Sequence, residues 1–358
     1  MAKGTNERSL RGFAAAIAAV LALALSGPAF AQQVRLLETG STLLYPLFNL
    51  WVPVYGKANP KVQITTQGTG SGTGIAQAIS GIAQIGASDA YLSNAQMKKS
   101  PGMLNIPLAI SAQMVNYNIP GLNDRDLKFS GPVLAGIYSG KVKYWDDPAL
   151  KQLNAGVKLP HDIIVPVHRT DGSGDTFIFT QYLSFSTPSW ANSAGYGTTV
   201  SWPPVQGGIG AEGNPGMVNA SKTTPYSVAY IGISFKNATD AAKLGEALLE
   251  NRAGKFLLAR PNTVSAAVKT MSAKTPTDER ISLIFAPGPQ SYPIINYEYV
   301  IIKKQQASPE TAKALKAFLD WCISPTGGNA PHFMQAVGFV PLPPAIVAKS
   351  RAQIAQIQ

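Results

Sequence analysis

Cysteine is nearly missing from this chain, with Cys322 the single one in 358 residues. One thiol cannot close a disulfide within the chain, so no cross-linked framework holds the fold. Cys322 falls in a helical pattern beside Leu319 and is expected to be a buried, inert thiol. Histidine is scarce too: His161, His168 and His332 stand far apart and offer no metal-ligand spacing. The signatures of common enzymes fail as well. Ser41, Ser71 and Ser173 lack glycines at both flanking offsets of a G-x-S-x-G elbow, and no Walker A sequence occurs. Gly208-Ile209-Gly210-Ala211-Glu212-Gly213 matches G-x-G-x-x-G, but it follows the run SWPPVQ instead of a strand. It is expected to be a glycine-rich loop with no nucleotide. Beyond residue 31 no apolar run reaches the roughly 20 residues that span a bilayer.

Acidic residues are the minority, 19 against 30 basic, for a formal charge of +11. The basic residues are scattered, without a long run or an aromatic-interleaved patch, so nucleic acid is not an expected partner. The first residues resemble an export signal. Lys3, Arg8 and Arg11 precede the apolar stretch Phe13 to Leu25, then Gly27, Pro28 and the small-x-small Ala29-Phe30-Ala31. Cleavage after Ala31 is expected, with a short membrane anchor as the other reading. The residue directly after the cut is Gln32 and not a cysteine, so a lipid anchor is not expected. Removing three basic groups and one acid leaves 27 against 18, a charge of +9. The remaining length exceeds what one core usually holds, so two domains are expected.

Strands and helices alternate along the mature chain. Val34 to Leu37, Val62 to Thr66, Gln113 to Ile119, Ile163 to His168, Tyr226 to Phe235 and Ile294 to Ile302 read as strands. Leu44, Leu47, Phe48, Trp51 and Tyr55 recur at helical spacing, as do Ile75, Ala78, Ile79 and Ile82. Ser308 and Pro309 mark a helix start. This is an α/β pattern with largely parallel sheets covered on both faces. If Gln113 to Ile119 and Ile294 to Ile302 both cross between domains, they form a hinge beside a cleft. Trp145 and Trp202 are expected to pack the domains rather than stack on a ligand.

Three strand–helix junctions share one device. Gly40 to Thr42 (GST), Gly68 to Gly74 (GTGSGTG) and Asp171 to Asp175 (DGSGD) combine glycine, hydroxyls and a helix start. Glycine lets backbone approach a ligand, and the free N–H groups and dipole of a helix start attract an anion. One such loop is weak evidence; three imply one small anion held from several sides. Arg169 adds a planar donor fork, which Asp171 can orient. Asp89, after the run IGAS, is either a turn former or an acceptor. An ionised carboxylate only accepts. It would therefore welcome an oxyanion that carries a proton, such as phosphate, and repel sulfate, which carries none.

The blocks ETGSTLLYPLFNLW, QGTGSGTGIAQAISG, IGASDAYLS, GKVKYWDDP, VHRTDGSGDTFIFTQYL and YSVAYIGISF resemble, in this order, those of PstS-type phosphate-binding proteins of ABC importers. The resemblance covers nearly all of the mature chain. It implies a two-lobed periplasmic binding protein fold of the type 2 class, each lobe a mixed, mainly parallel sheet flanked by helices, with a ligand cleft at a two-strand hinge. The expected division is a signal at 1–31, one lobe from 32–112 plus 295–358, and a second from 113–294. The resemblance assigns phosphate to Ser41, Thr42, Leu43, Ser71, Asp89, Arg169, Ser173, Gly174 and Asp175, with Asp171 supporting Arg169. It implies a periplasmic monomer that binds inorganic phosphate without catalysis, cofactor or metal, and delivers it to the permease and ATPase subunits of the importer. Leu43 replaces a frequent aromatic, which matters little if only its N–H is used. Asp175 replaces a common threonine; it is either a second acceptor or a helix cap facing solvent.

Overall fold

A computed structural model describes residues 33–358; the expected signal segment and its cleavage site lie outside them. Twelve strands are described. They are β1 (Val34–Gly40), β2 (Val62–Gly68), β3 (Ile85–Ser88), β4 (Met103–Asn118), β5 (Lys128–Phe129), β6 (Val165–Arg169), β7 (Ile209–Ala211), β8 (Ser227–Gly232), β9 (Gly245–Glu246), β10 (Leu248–Glu250), β11 (Phe256–Leu257) and β12 (Ile295–Lys303). Nine form one mixed sheet in the order β2-β1-β3-β12-β4-β8-β6-β7, with β9 also paired to β4. β1 runs parallel to β2 and β3, and β6 parallel to β7 and β8, while β12 and β4 run antiparallel to their neighbours. A small sheet, β11-β10-β5, lies apart from it.

β4 is the backbone of this arrangement. It begins ten residues before the expected strand start at Gln113, and all but its last residue are buried. Such a long apolar run suits a strand covered on both faces. From Met103 to Ala112 it pairs with β12, and from Gln113 to Asn118 with β8. One strand thus serves both halves of the sheet. The expected strand Tyr226 to Phe235 is shorter. β8 stops at Gly232, whose N–H is taken by Asn214 Oδ1 at 2.8 Å, and a 3-10 turn, Ile233–Phe235, follows.

The helices cover the sheet as their apolar spacing predicts. Helix α1 (Tyr45–Ala58) buries Leu47, Phe48, Trp51 and Tyr55, and the Trp51 indole donates to Gly328 O at 3.0 Å. Helix α2 (Ser71–Ser80) lies on β1 and β3. There Gly74 is required, because a Cβ would stand 2.6 Å from Thr39 O and 2.7 Å from Ala87 O. Helix α3 (Gly174–Ser186) packs beside β8 and is buried from Gly174 to Leu183. Helix α4 (Gly213–Thr223) and helix α5 (Pro309–Cys322) follow, α5 capped by the Ser308 hydroxyl accepting from the Thr311 N–H. Cys322 is buried and free. Trp145 is fully buried, and Trp202 stacks on His168 and Tyr230 in side-chain packing.

Candidate functional site

All three glycine–hydroxyl loops open helices, and they meet. β1 ends at Gly40, and just beyond it the Ser41 hydroxyl accepts from the N–H groups of Leu43 and Leu44 at 3.1 and 3.0 Å. Leu43 thus spends its N–H on Ser41, and its buried side chain packs over Gly232. Ser71 begins α2 directly. Ser173 is the N-cap of α3, accepting from Thr176 N at 3.2 Å. Gly172 faces Gly72, with Gly72 N donating to Gly172 O at 2.7 Å. The approach is so close that a Cβ on Gly174 would collide with Asp89 Oδ2 and stand 2.5 Å from Ser71 Oγ.

Asp89 lies at the centre of this convergence. It follows β3 and is 1% exposed. Ser41 Oγ donates to its Oδ1, Ser71 Oγ to its Oδ2 at 3.4 Å, and its own N–H meets Ser71 Oγ at 3.2 Å. Burial pushes its carboxyl up to about 7, with the nearby Asp175 charge adding to the effect.

Arg169 ends β6 with a guanidinium that is almost completely buried. Asp171 grips it as expected: Arg169 Nε donates to Oδ1 at 2.7 Å, and Nη2 pairs with Oδ2. Asp171 loses water to burial, yet Arg169 holds its carboxyl below the usual range. Asp175 does not face solvent, which overturns the cap alternative. It is 1% exposed and accepts from Arg169 Nη1 at 2.8 Å, Gln113 Nε2 at 3.0 Å and Asn214 Nδ2 at 2.6 Å. Tyr230 OH accepts from the Arg169 N–H at 2.9 Å and fixes the backbone behind the guanidinium.

The G-x-G-x-x-G segment is not a plain loop. Ile209–Ala211 forms β7 at the sheet edge, parallel to β6, and Gly213 opens α4. Pairing to β6 makes a strand of three residues that the prolines upstream do not reach. The start of α4 then turns to the site. Gly213 N donates to Asp171 Oδ1 at 3.1 Å, and Asn214 donates to Thr42 Oγ1 from its backbone N at 3.2 Å and its Nδ2 at 3.0 Å.

Ser41, Thr42, Leu43, Ser71, Asp89, Arg169, Asp171, Ser173, Gly174 and Asp175 therefore lie in one buried cluster. Residue-level reading missed Gln113, Asn214 and Glu298. Glu298 is fully buried on β12 beside Asp89. An acid inside the apolar run of Ile294 to Ile302 was the available signal. For Asn214 it was the glycine motif just before it. Among the described residues no group of histidine, cysteine and acidic side chains could hold a metal ion. The cluster offers hydroxyl donors, a buried guanidinium and a carboxyl acceptor, a set suited to a small protonated oxyanion.

Comparisons with known proteins agree with this chemistry. The PBP superfamily domain matches residues 27–326. A protein named phosphate-binding protein PstS from Methanocaldococcus jannaschii is 39% identical over 323 residues, covering 85% of this chain and 82% of that protein. One of the same name from Pasteurella multocida is 32% identical, covering 94% of each. The fold is similar to that of a high affinity periplasmic phosphate-binding protein (PfluDING) solved with phosphate. The TM-score is 0.71 at 21% identity, over 89% of this chain and 93% of that one. With a mixed α/β fold of the type 2 periplasmic binding class and this extent of shared sequence, the chain belongs to the PstS family of phosphate-binding proteins.

Proposed function

We propose that this protein binds inorganic phosphate between two lobes outside the cytoplasm and delivers it, without turnover, to the permease and ATPase subunits of an ABC importer. The observation that carries this reading is Asp89, a buried acceptor ringed by the hydroxyls of Ser41 and Ser71 and met by the Ser173–Gly174 helix start. Phosphate near neutral pH keeps a P–OH for Asp89 to accept, while its other oxygens take the hydroxyls, Arg169 and helix-start N–H groups. Relatives named for phosphate binding, and a similar fold solved with phosphate, support the same ligand.

The proposed lobes are residues 32–112 with 295–358, and residues 113–294. The change of partner along β4 between Ala112 and Gln113, and the return of the chain through β12, support this division. Closure brings Gly72 against Gly172 and shuts out water, and only contacts made in the closed form drive it. Export through the N-terminal signal is consistent with there being, among the described residues, no helix long and apolar enough to cross a membrane. The test is calorimetric titration of mature, phosphate-stripped protein with phosphate and with sulfate. Phosphate is expected to bind and sulfate to give no heat. Sulfate binding without a phosphate response overturns the reading, and turnover of a chromogenic phosphate ester overturns its non-catalytic part.

A further inference from the structure

Beside Asp89 stands a second acid that the phosphate-binding scheme above leaves without a role. β12 runs antiparallel to β3 with Tyr299 opposite Ser88, so the next position along each strand sets Glu298 against Asp89. The β12 register shifts between Glu298 and Tyr299, an irregularity that re-aims a side chain. Glu298 is fully buried, and Asn296 Nδ2 bridges the two residues, donating to Asp89 O at 2.8 Å and to Glu298 Oε1 at 3.5 Å.

Each acid receives two donors, but they are distributed differently over its oxygens. Asp89 receives the hydroxyls of Ser41 and Ser71. Glu298 receives Ser111 Oγ, and Asn296 Nδ2 at 3.5 Å, both on Oε1. Glu298 Oε2 has no partner. Two neighbouring carboxyls buried inside a protein do not readily both ionise. The other charges acting on the pair are Asp175 from α3 and Arg169 from β6. The guanidinium is shared with Asp171 and Asp175, and its pull on Asp89 is weaker than the push of burial and of the Asp175 charge. The proton therefore belongs on Glu298, whose Oε2 no donor reaches.

We propose that Glu298 is a specificity-determining residue of this site, a neutral acid whose Oε2–H donates to Asp89 and keeps Asp89 ionised as the acceptor for a ligand P–OH. Burial and the Asp89 charge raise Glu298 well above the ordinary range, consistent with that assignment. Asp89 has four lone-pair sites, of which Ser41, Ser71 and Glu298 occupy three, leaving one for the ligand proton. Without Glu298, Asp89 would take up a proton more readily and become a donor. It would then accept an oxyanion that carries no proton, and discrimination would fail as pH falls.

This inference rests on the phosphate reading, and one set of experiments separates the two. Phosphate-stripped wild type, Glu298→Gln and Glu298→Leu are titrated with phosphate and with sulfate from about pH 5.5 to about pH 8.5. The amide of Glu298→Gln can donate to Asp89 as the neutral acid does, so phosphate affinity should stay within about threefold and sulfate should begin to compete only at the pH where it does in wild type. Glu298→Leu should lose about tenfold or more in phosphate affinity, the size of a hydrogen bond to a charged group. Sulfate should then compete at a higher pH than it does in wild type. In infrared spectra at neutral pH, a carboxylic-acid C=O band of wild type should vanish in Glu298→Gln. The proposal is overturned if Glu298→Gln weakens binding as far as Glu298→Leu does, if Glu298→Leu binds and discriminates like wild type, or if the band is unchanged. A wild type that binds no phosphate sinks the functional reading instead, while the infrared band still reports where the proton sits.

Discussion

Discrimination between oxyanions comes down to which side chains can give a proton and which can only take one. Asp89 as a carboxylate only accepts, so Asp89→Asn introduces an N–H donor where repulsion stood. Sulfate should then compete with phosphate in titrations of Asp89→Asn; continued exclusion of sulfate would remove Asp89 from the selectivity account. The same burial sets a pH dependence on stability. Asp89 is pushed up to about 7 and Glu279 to about 8, in each case first by loss of water. Glu279 stays near 8 although Gln353 and Ser350 donate to it. In the unfolded chain such carboxyls titrate near 4, so the folded protein holds protons that the unfolded chain has released. Their contribution is complete at low pH and is lost as pH rises through about 7 to 8. The melting temperature of the phosphate-free protein should therefore fall between about pH 5 and about pH 8. A flat or rising profile would contradict this.

Secondary-structure elements meet the site end-on, and glycine decides how near they come. Gly72 is the second residue of α2, and a Cβ there would stand 3.0 Å from Gly172 Cα and 3.2 Å from Gly172 O. Within its own helix the change to alanine is favourable, by about 1 kcal/mol. Across the contact it overpacks a backbone that cannot yield as a side chain would, at a cost of roughly 1–3 kcal/mol. Gly72→Ala should therefore weaken phosphate binding by about fivefold to a hundredfold, while thermal stability without ligand stays equal or rises. Gly74→Ala differs, because its clash is with β1 and β3 of its own half. It should lower stability whether or not ligand is present. If the two variants behave alike, the Gly72–Gly172 contact has no special part in closure.

At the scale of the molecule, a single long strand passes from one half of the sheet to the other, and β12 returns beside it. Two adjacent crossings would permit rotation about one axis, as the proposed two-lobe division requires. Phosphate should therefore shrink the radius of gyration in small-angle scattering. Arg169→Ala should abolish the change, since it removes the guanidinium to which Asp171 and Asp175 are tied. No change in wild type on saturation with phosphate would contradict hinge closure.

Local rules reached far into this protein because several of its devices are local. Ser308–Pro309 at a helix start, the apolar face of α1 and the three glycine–hydroxyl loops are patterns of neighbouring residues whose meaning is set by helix geometry. Asp171 lies two residues from Arg169, so their pairing was legible too. The inward turn of Asp175 was not, because its partners Gln113 and Asn214 are 62 and 39 residues away. Nor was the partnership of Asp89 with Glu298, which depends on β12 entering the sheet beside β3. The sequence by itself determined the helix starts, the α/β alternation and the kinds of group offered to an anion. Only the tertiary structure decided which of these groups share one buried space. Strand order and register are long-range choices, and a carboxyl's protonation follows from neighbours that those choices bring within reach.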